Sequence, residues 1–430
     1  MDHRPRRMMP SRLGGLLVTV LVVAAACSGS ASTAPSTGGG TSAAPGGSTA
    51  ADGSTTASGN GAPAGTKHVA ILNKDMTDDE IKAEIQKEGA VVVGNWTYSA
   101  NAVLVDQFQK YVKATYGVDV QLTYDGSQAP SEYLTKLAAA SKGGNPAPYD
   151  VMAVEENYWA DGTAQGLPDN FLPSDLIPNQ KLVLDQFQHV PTSIAFQSTA
   201  FPGVVYNKAK APFLKSLKDL ANPALKGKLT LPAPGDITAG GFFLGLASEL
   251  GKDYKDPDQM KEVVDWAMTN IGPNVTKYTS DQPTIQQLLE TGAIDAFAFW
   301  NATARLEFLN GNKDAALLLP ATIYPANGYL WIPKNAPHPV LAQIFINWRI
   351  DPSVQFPNDW PINHGQWSEL SEGFLGPDYV NLVPDWFKAD YGTFYPTLDQ
   401  IKTNFKSIDW TAYNASAKVW QDYYASKIGQ

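Results

Sequence analysis

Glu88-Gly89-Ala90-Val91-Val92-Val93 is the stretch that decides the fold. A glycine followed by four apolar residues without alternation suits a strand buried on both faces, the habit of parallel sheets. Downstream, Val105, Phe108 and Val112 fall at helical spacing and Gly117 stops that helix. Val118, Val120, Leu122 and Tyr124 alternate with polar residues as a second strand. Tyr133, Leu134, Leu137 and Ala138 mark a second helix ended by Gly143 and Gly144, and residues 149–154 read as a third strand. Strand, helix, strand, helix, strand is a parallel α/β unit with right-handed crossovers.

A second unit of the same kind follows. Strands are predicted at 203–206, 228–231, 296–299, 317–319 and 328–332, with helices at 239–250, 257–269, 284–290 and 340–349 and a helical tail over 398–430 with aromatic residues on one face. About 360 residues lie beyond the N-terminal segments described below, more than one hydrophobic core usually supports, so two bodies are expected.

Upstream of the folded region, Arg4, Arg6, Arg7 and Arg12 precede an apolar run over residues 13–26 that ends in Ala24, Ala25 and Ala26, followed by Cys27. The run is short for a spanning helix and reads as a secretory signal peptide, 1–26. Small residues before a cysteine resemble a bacterial lipobox, although Ala24 stands where a large aliphatic residue is usual. The resemblance implies lipidation of Cys27; the alternative is an ordinary signal peptide with Cys27 incidental. Arg6-Arg7 leaves the export route open. Residues 28–66 are almost wholly Gly, Ser, Thr, Ala and Pro with one charge, Asp52. Such a composition buries too little apolar surface to offset chain entropy, so 27–66 is expected to be a disordered linker with a reach of about 35 Å.

The chain carries a formal net charge of −10, and removal of residues 1–26, with four arginines and one aspartate, makes it more negative. With no basic cluster, nucleic acid is not an expected partner, and the membrane is expected to be reached through the lipid alone. Cys27 is the single cysteine, so a disulfide framework and a thiolate metal site are excluded. The five histidines lack metal-ligand spacing, and no cofactor or metal is expected.

Five motifs in order resemble the type II periplasmic binding proteins that serve ABC importers. They are Glu88 to Val93, Pro202-Gly203-Val204-Val205-Tyr206-Asn207-Lys208, Gly227-Lys228-Leu229-Thr230-Leu231-Pro232, Thr291-Gly292-Ala293-Ile294-Asp295-Ala296, and Gly328-Tyr329-Leu330-Trp331-Ile332-Pro333-Lys334, which leads into Asp351-Pro352-Ser353. The polyamine and ferric-iron binders are the most similar branch. The resemblance implies an α/β, two-lobed type II fold, each lobe a mainly parallel sheet flanked by helices, with hinge crossings near 201–206 and 324–329. Lobe 1 would comprise 67–203 plus 326–430 and lobe 2 would comprise 204–325. It further implies a monomeric, non-enzymatic receptor on the extracytoplasmic face of the cell membrane, with a small-molecule ligand and an ABC importer permease as partners.

Ligands of open parallel sheets bind beyond the carboxyl ends of the strands. The candidate ligand-binding residues are accordingly Trp96, Tyr98 and Ser99; Asp125 and Ser127; Glu155, Glu156 and Tyr158; Asp236 and Thr238; Trp300 and Asn301; and Tyr329. Flat aromatics mixed with carboxylates suit an organic cation such as a polyamine. For Asp125 and Asp236 turn chemistry or helix capping competes with this reading, and for the tryptophans, core packing. Small residues around Gly240 would also suit an anion at a helix N-terminus, although Asp236 would repel one. Tyr423-Tyr424, an adjacent pair of the kind iron binders use, falls in the helical tail, where packing explains it. A carbohydrate receptor is the alternative within the binder class. A surface-anchored hydrolase is the rival outside it, and the chain carries neither a G-x-S-x-G turn nor a zinc signature.

Overall fold

The computed structural model describes residues 64–95, 102–197, 201–309, 311–355, 385–389 and 392–428. The signal segment 1–26, Cys27 and the linker as far as residue 63 lie outside them. A hairpin of β1 (Thr66–Val69) and β2 (Lys74–Thr77), not anticipated from the sequence, opens the folded region. α1 (Asp78–Glu88) starts with a capping box in which the Glu80 amide donates to Thr77 Oγ1 at 3.2 Å and the Thr77 amide to Glu80 Oε2 at 2.8 Å. Gly89, at φ +63°, ends the helix and turns the chain into β3 (Ala90–Asn95).

The expected alternation follows with α2 (Ala102–Tyr116), β4 (Gln121–Asp125), α3 (Pro130–Lys142), β5 (Val151–Glu155) and α4 (Glu156–Ala164). Val151 to Val154 are fully buried, the signature of a strand covered on both faces. Two short strands without a clear sequence signal, β6 (Gln188–His189) and β7 (Ser193–Gln197), complete this part of the chain. The second body contains β8 (Pro202–Asn207), β9 (Leu229–Leu231), α5 (Ile237–Glu249), α6 (Pro257–Asn270), β10 (Val275–Tyr278), α7 (Gln282–Glu290), β11 (Ala296–Trp300), α8 (Ala302–Leu309) and β12 (Ala315–Leu318). β13 (Gly328–Trp331) and α9 (Pro339–Arg349) return to the first. No described helix is long and apolar enough to cross a membrane.

The first sheet has the order β4-β3-β5-β13-β7-β6 and the second β10-β9-β11-β8-β12. Both are mixed. β3 is parallel to β4 and β5, and β9 is parallel to β10 and β11, whereas β13 and β8 run antiparallel to their neighbours. The physical reason is connectivity: β8 and β13 each follow a passage from one sheet to the other, so they enter at the edge where the parallel strands end.

The chain passes between the sheets ahead of Pro202 and again between Leu318 and Gly328. A third passage was not expected. Phe405 belongs to the first core and Trp410 to the second, and the terminal helix Trp410–Ile428 packs Trp410, Tyr413, Ala417, Trp420 and Tyr424 among Phe242, Phe243 and Val263. The tail therefore departs from the expected grouping of 326–430 with the first sheet, because its aromatic stripe matches the apolar faces of α5 and α6. The helical tail is also broken, into Leu398–Asn404 and Trp410–Ile428.

The third passage runs beside the second. Ile323 pairs with Phe405 as a parallel bridge, with Ile323 N donating to Asn404 O and Lys406 N to Ile323 O, both at 2.9 Å. At the first, Asn301 N donates to Phe201 O at 3.0 Å and Phe201 N to Asn301 Oδ1 at 3.1 Å. The Phe201 ring packs edge-on against Phe405 at 5.8 Å.

Distant carboxylates hold α9 against the first sheet. Asp150, almost fully buried, accepts from Val92 N at 2.7 Å and His338 N at 2.8 Å. Glu88 accepts from Val340 N at 3.0 Å and Leu341 N at 2.7 Å, capping α9 from another helix. Burial pushes the Glu88 carboxyl up to about 7, against the pull of the two amides and of His338. The folded chain thus binds this proton more tightly than the unfolded chain, whose glutamate titrates near 4.5. Stability contributed by Glu88 is full below that value and is lost as pH rises through about 7. Between pH 4.5 and 7.5 the unfolding free energy is expected to fall by on the order of 2 kcal/mol more in the native chain than in Glu88→Gln, read by urea denaturation across that range.

Candidate functional site

Because β3, β4 and β5 are parallel, their carboxyl ends meet at one edge of the first sheet, which presents Asn95, Asp125 and Glu155 with Gly328 of β13 opposite Glu155. The corresponding edge of the second sheet presents Leu231, Tyr278 and Trp300, with Pro202 opposite Trp300. Passages between the sheets leave from these same edges, so the candidate site lies where both sheets end.

Tyr133 ties the first edge together. Its ring is fully buried, and its hydroxyl contacts Asp125 O at 2.7 Å and Asn95 O at 3.0 Å, joining the ends of β4 and β3. The Asn95 amide donates to the Tyr124 hydroxyl. Asp125 Oδ1 accepts from Ser127 N at 2.9 Å in an Asx turn, and Oδ2 accepts from the Tyr149 hydroxyl at 3.4 Å. Partial burial raises the Asp125 pKa, but the Ser127 hydroxyl and amide, Tyr149 and Lys136 together hold the carboxyl below the usual range. Asp125 is a half-exposed carboxylate that stays ionised. Glu155 is half-buried at the end of β5, on the far side of β3, and Tyr158 half-buried one helical turn on, its hydroxyl pKa pushed up by burial.

On the second edge, Asp236 caps α5: its Oδ1 accepts from Thr238 N at 2.8 Å and from the Thr238 hydroxyl. Thr238 is itself fully buried, with its hydroxyl 3.4 Å from Ser280 Oγ. The glycines that follow serve close packing. A Cβ on Gly240 would stand 2.5 Å from the Tyr413 hydroxyl, and one on Gly241 2.5 Å from Pro202. Trp300 is half-buried.

Several expected ligand-facing residues lie behind the surface. Asn301 and Tyr329 are fully buried, Asn301 holding Phe201. Glu156 begins α4, with its N–H donating to Asn327 O at 3.0 Å and its Oε1 2.7 Å from His189 Nε2. Trp96, Tyr98 and Ser99 lie outside the described residues.

Glu156, Trp159 and Tyr329 gather instead around the chain's own imidazole. His189 stacks on Trp159 with ring centroids 4.0 Å apart and planes at 5°, and on Tyr329 at 4.8 Å and 27°. Ala195 and Ser193, both fully buried, are the small residues paired with Tyr329 and His189, leaving room for the ring to lie flat. His189 had no sequence signal, since its partners lie up to 140 positions away. Tyr423 and Tyr424 are structural: Tyr424 donates to Pro232 O at 2.9 Å and Tyr423 to Asp265 Oδ1 at 2.9 Å. Among the described residues no group of three His, Cys, Asp or Glu could hold a metal ion.

The sequence profile of a family described as bacterial extracellular solute-binding protein matches residues 104–358. No curated protein matches the chain. Among solved structures, an ABC transporter from Clostridium perfringens is 22% identical, with a TM-score of 0.57 over 78% of this chain and 99% of its own. The spermidine/putrescine ABC transporter substrate-binding protein PotD of Streptococcus pneumoniae, in complex with calcium and HEPES, is 19% identical with a TM-score of 0.58 over 78% and 99%. The apo ferric ion-binding protein A of Pasteurella haemolytica is 13% identical with a TM-score of 0.55 over 78% and 98%. At these identities the likeness is one of fold, that of the type II periplasmic binding proteins.

Removing the imidazole from its sandwich leaves Glu156 buried without that partner and opens a gap between Trp159 and Tyr329. His189→Ala is expected to destabilise the protein by about 2–3 kcal/mol in urea denaturation, and His189→Gln, which keeps a polar partner, by less. Stability unchanged in His189→Ala would contradict a structural role.

Proposed function

The chain belongs to the bacterial extracellular solute-binding proteins, and on that premise we propose that it captures a small organic cation, of polyamine type, between its two lobes and delivers it to an ABC importer. The observation that carries the ligand class is Asp125, a half-exposed carboxylate at the sheet edge whose hydrogen-bond partners are an amide and hydroxyls rather than a cation. Enclosing an ammonium group beside it would pair both charges as water leaves. Glu155 lies at the end of β5, one strand removed from β4 on the same edge, and Trp300 at the edge of the second sheet offers an aromatic face. The spermidine/putrescine relative supports the same class. A ligand touching both lobes favours the closed form, which the permease then reads as occupancy.

Attachment to the outer face of the membrane through a lipid on Cys27 is part of this reading and rests on the sequence ahead of it. Cys27→Ser is expected to move the protein from the membrane to the soluble fraction on cell fractionation, and retention in the membrane would contradict the anchor.

The ligand class is tested by thermal melting with spermidine, putrescine, oligosaccharides and sugar phosphates. Saturable stabilisation by an amine, about 2.7 kcal/mol at a hundred times Kd, is expected, with Asp125→Asn weakening amine affinity by about ten-fold or more. Stabilisation by an oligosaccharide alone would favour the carbohydrate receptor. Turnover of a sugar polymer would favour a hydrolase.

A further inference from the structure

Among the described residues, a polar contact outside the sheet edges joins an element fixed to the first sheet with an element fixed to the second. Asn414 Nδ2, on the exposed side of the terminal helix, donates to Asp161 Oδ1 on α4 at 3.1 Å. Ala160, the preceding residue of α4, packs against the second core.

Each partner is held rigidly by its own body. α4 is tied to the first sheet at its start by Glu156, through Asn327 O at 3.0 Å and His189 at 2.7 Å. At its other end Gly162 lies so close to β13 that a Cβ would sit 3.3 Å from the Trp331 ring. The terminal helix is tied to the second body by Tyr424 to Pro232 O at 2.9 Å, Ser416 Oγ to Tyr254 O at 3.0 Å, and Lys427 to Asp265 at 2.9 Å. Motion that separates α4 from the terminal helix therefore breaks the Asn414–Asp161 bond.

From this we infer that Asp161 and Asn414 form a latch between the lobes that sets solute affinity from outside the ligand site, an inference that rests on the receptor reading above. A contact made only when the lobes meet raises the closed fraction of the free protein, and apparent affinity rises with that fraction. Tyr424 extends the latch toward the site, because the carbonyl it holds belongs to Pro232, four residues ahead of the Asp236 cap of α5. Asp161 and Asn414 are positioning residues, with no contact to solute required of either.

The test is single-molecule energy transfer in the full chain, between dyes on unnatural keto side chains introduced at Thr135 on α3 and Thr276 on β10, both exposed. Without any solute, Asn414→Ala is expected to shift the population toward the longer-distance state by on the order of five-fold, with the melting temperature unchanged. Asn414→Asp, which sets two carboxylates face to face, is expected to shift it further, and Asp161→Asn in the same chain to reverse that extra shift. Unchanged distance distributions in Asn414→Ala and Asn414→Asp would overturn the latch. Because the readout needs no ligand, failure of every solute to bind, with the distances still responding, would instead count against the receptor reading alone.

Discussion

Backbone pairing at the passages between the two sheets is the constraint on which the rest of the molecule depends. Ile323 and Phe405 bridge where the second and third passages run side by side, and Asn301 clamps Phe201 at the first. These bonds fix where the chain leaves one sheet for the other. They dictate that β8 and β13 enter antiparallel to strands already laid down, and so bring the carboxyl ends of both parallel sets to the edges from which the chain crosses. The placement of the candidate site at those edges follows from topology before any side chain is considered.

Electrostatics then separates structural carboxylates from Asp125. Asp150 is given His338 and two amides, Glu88 two amides of α9, and Glu156 the imidazole of His189. Each would be costly to bury without those partners. Asp125 differs in kind: it is half-exposed, at a strand end, and its carboxyl is held below the usual range by a turn amide, hydroxyls and the charge of Lys136. Asp125 and Glu155 thus stand at the strand ends, where the proposed cation would meet them.

The parts legible in the sequence were those governed by local pattern. β3 through β5 and their helices followed from apolar runs and helical spacing, and the strand ends gave the position of the edge. What was not legible depended on distant partners. β6 and β7 are two and five residues long; β7 is held by pairing with β13, more than 130 positions on, and β6 by pairing with β7. An aromatic stripe on the terminal helix announces that it packs but not against what, and its docking on α5 and α6 was visible only in three dimensions. The same holds at the site. Glu156 and Tyr329 have the right chemistry for a cation clamp, but small Ala195 and Ser193 let His189 reach into it first. Asp236 went to its helix cap, the competing reading that its position before α5 had already raised.

On the proposed function, the two bodies close on a solute held between their strand ends. Small-angle X-ray scattering of the purified protein, with and without saturating amounts of the solute that most raises its melting temperature, tests it most directly. A smaller radius of gyration in the bound state is the expected result. Superimposable profiles in the presence of a bound solute would contradict it.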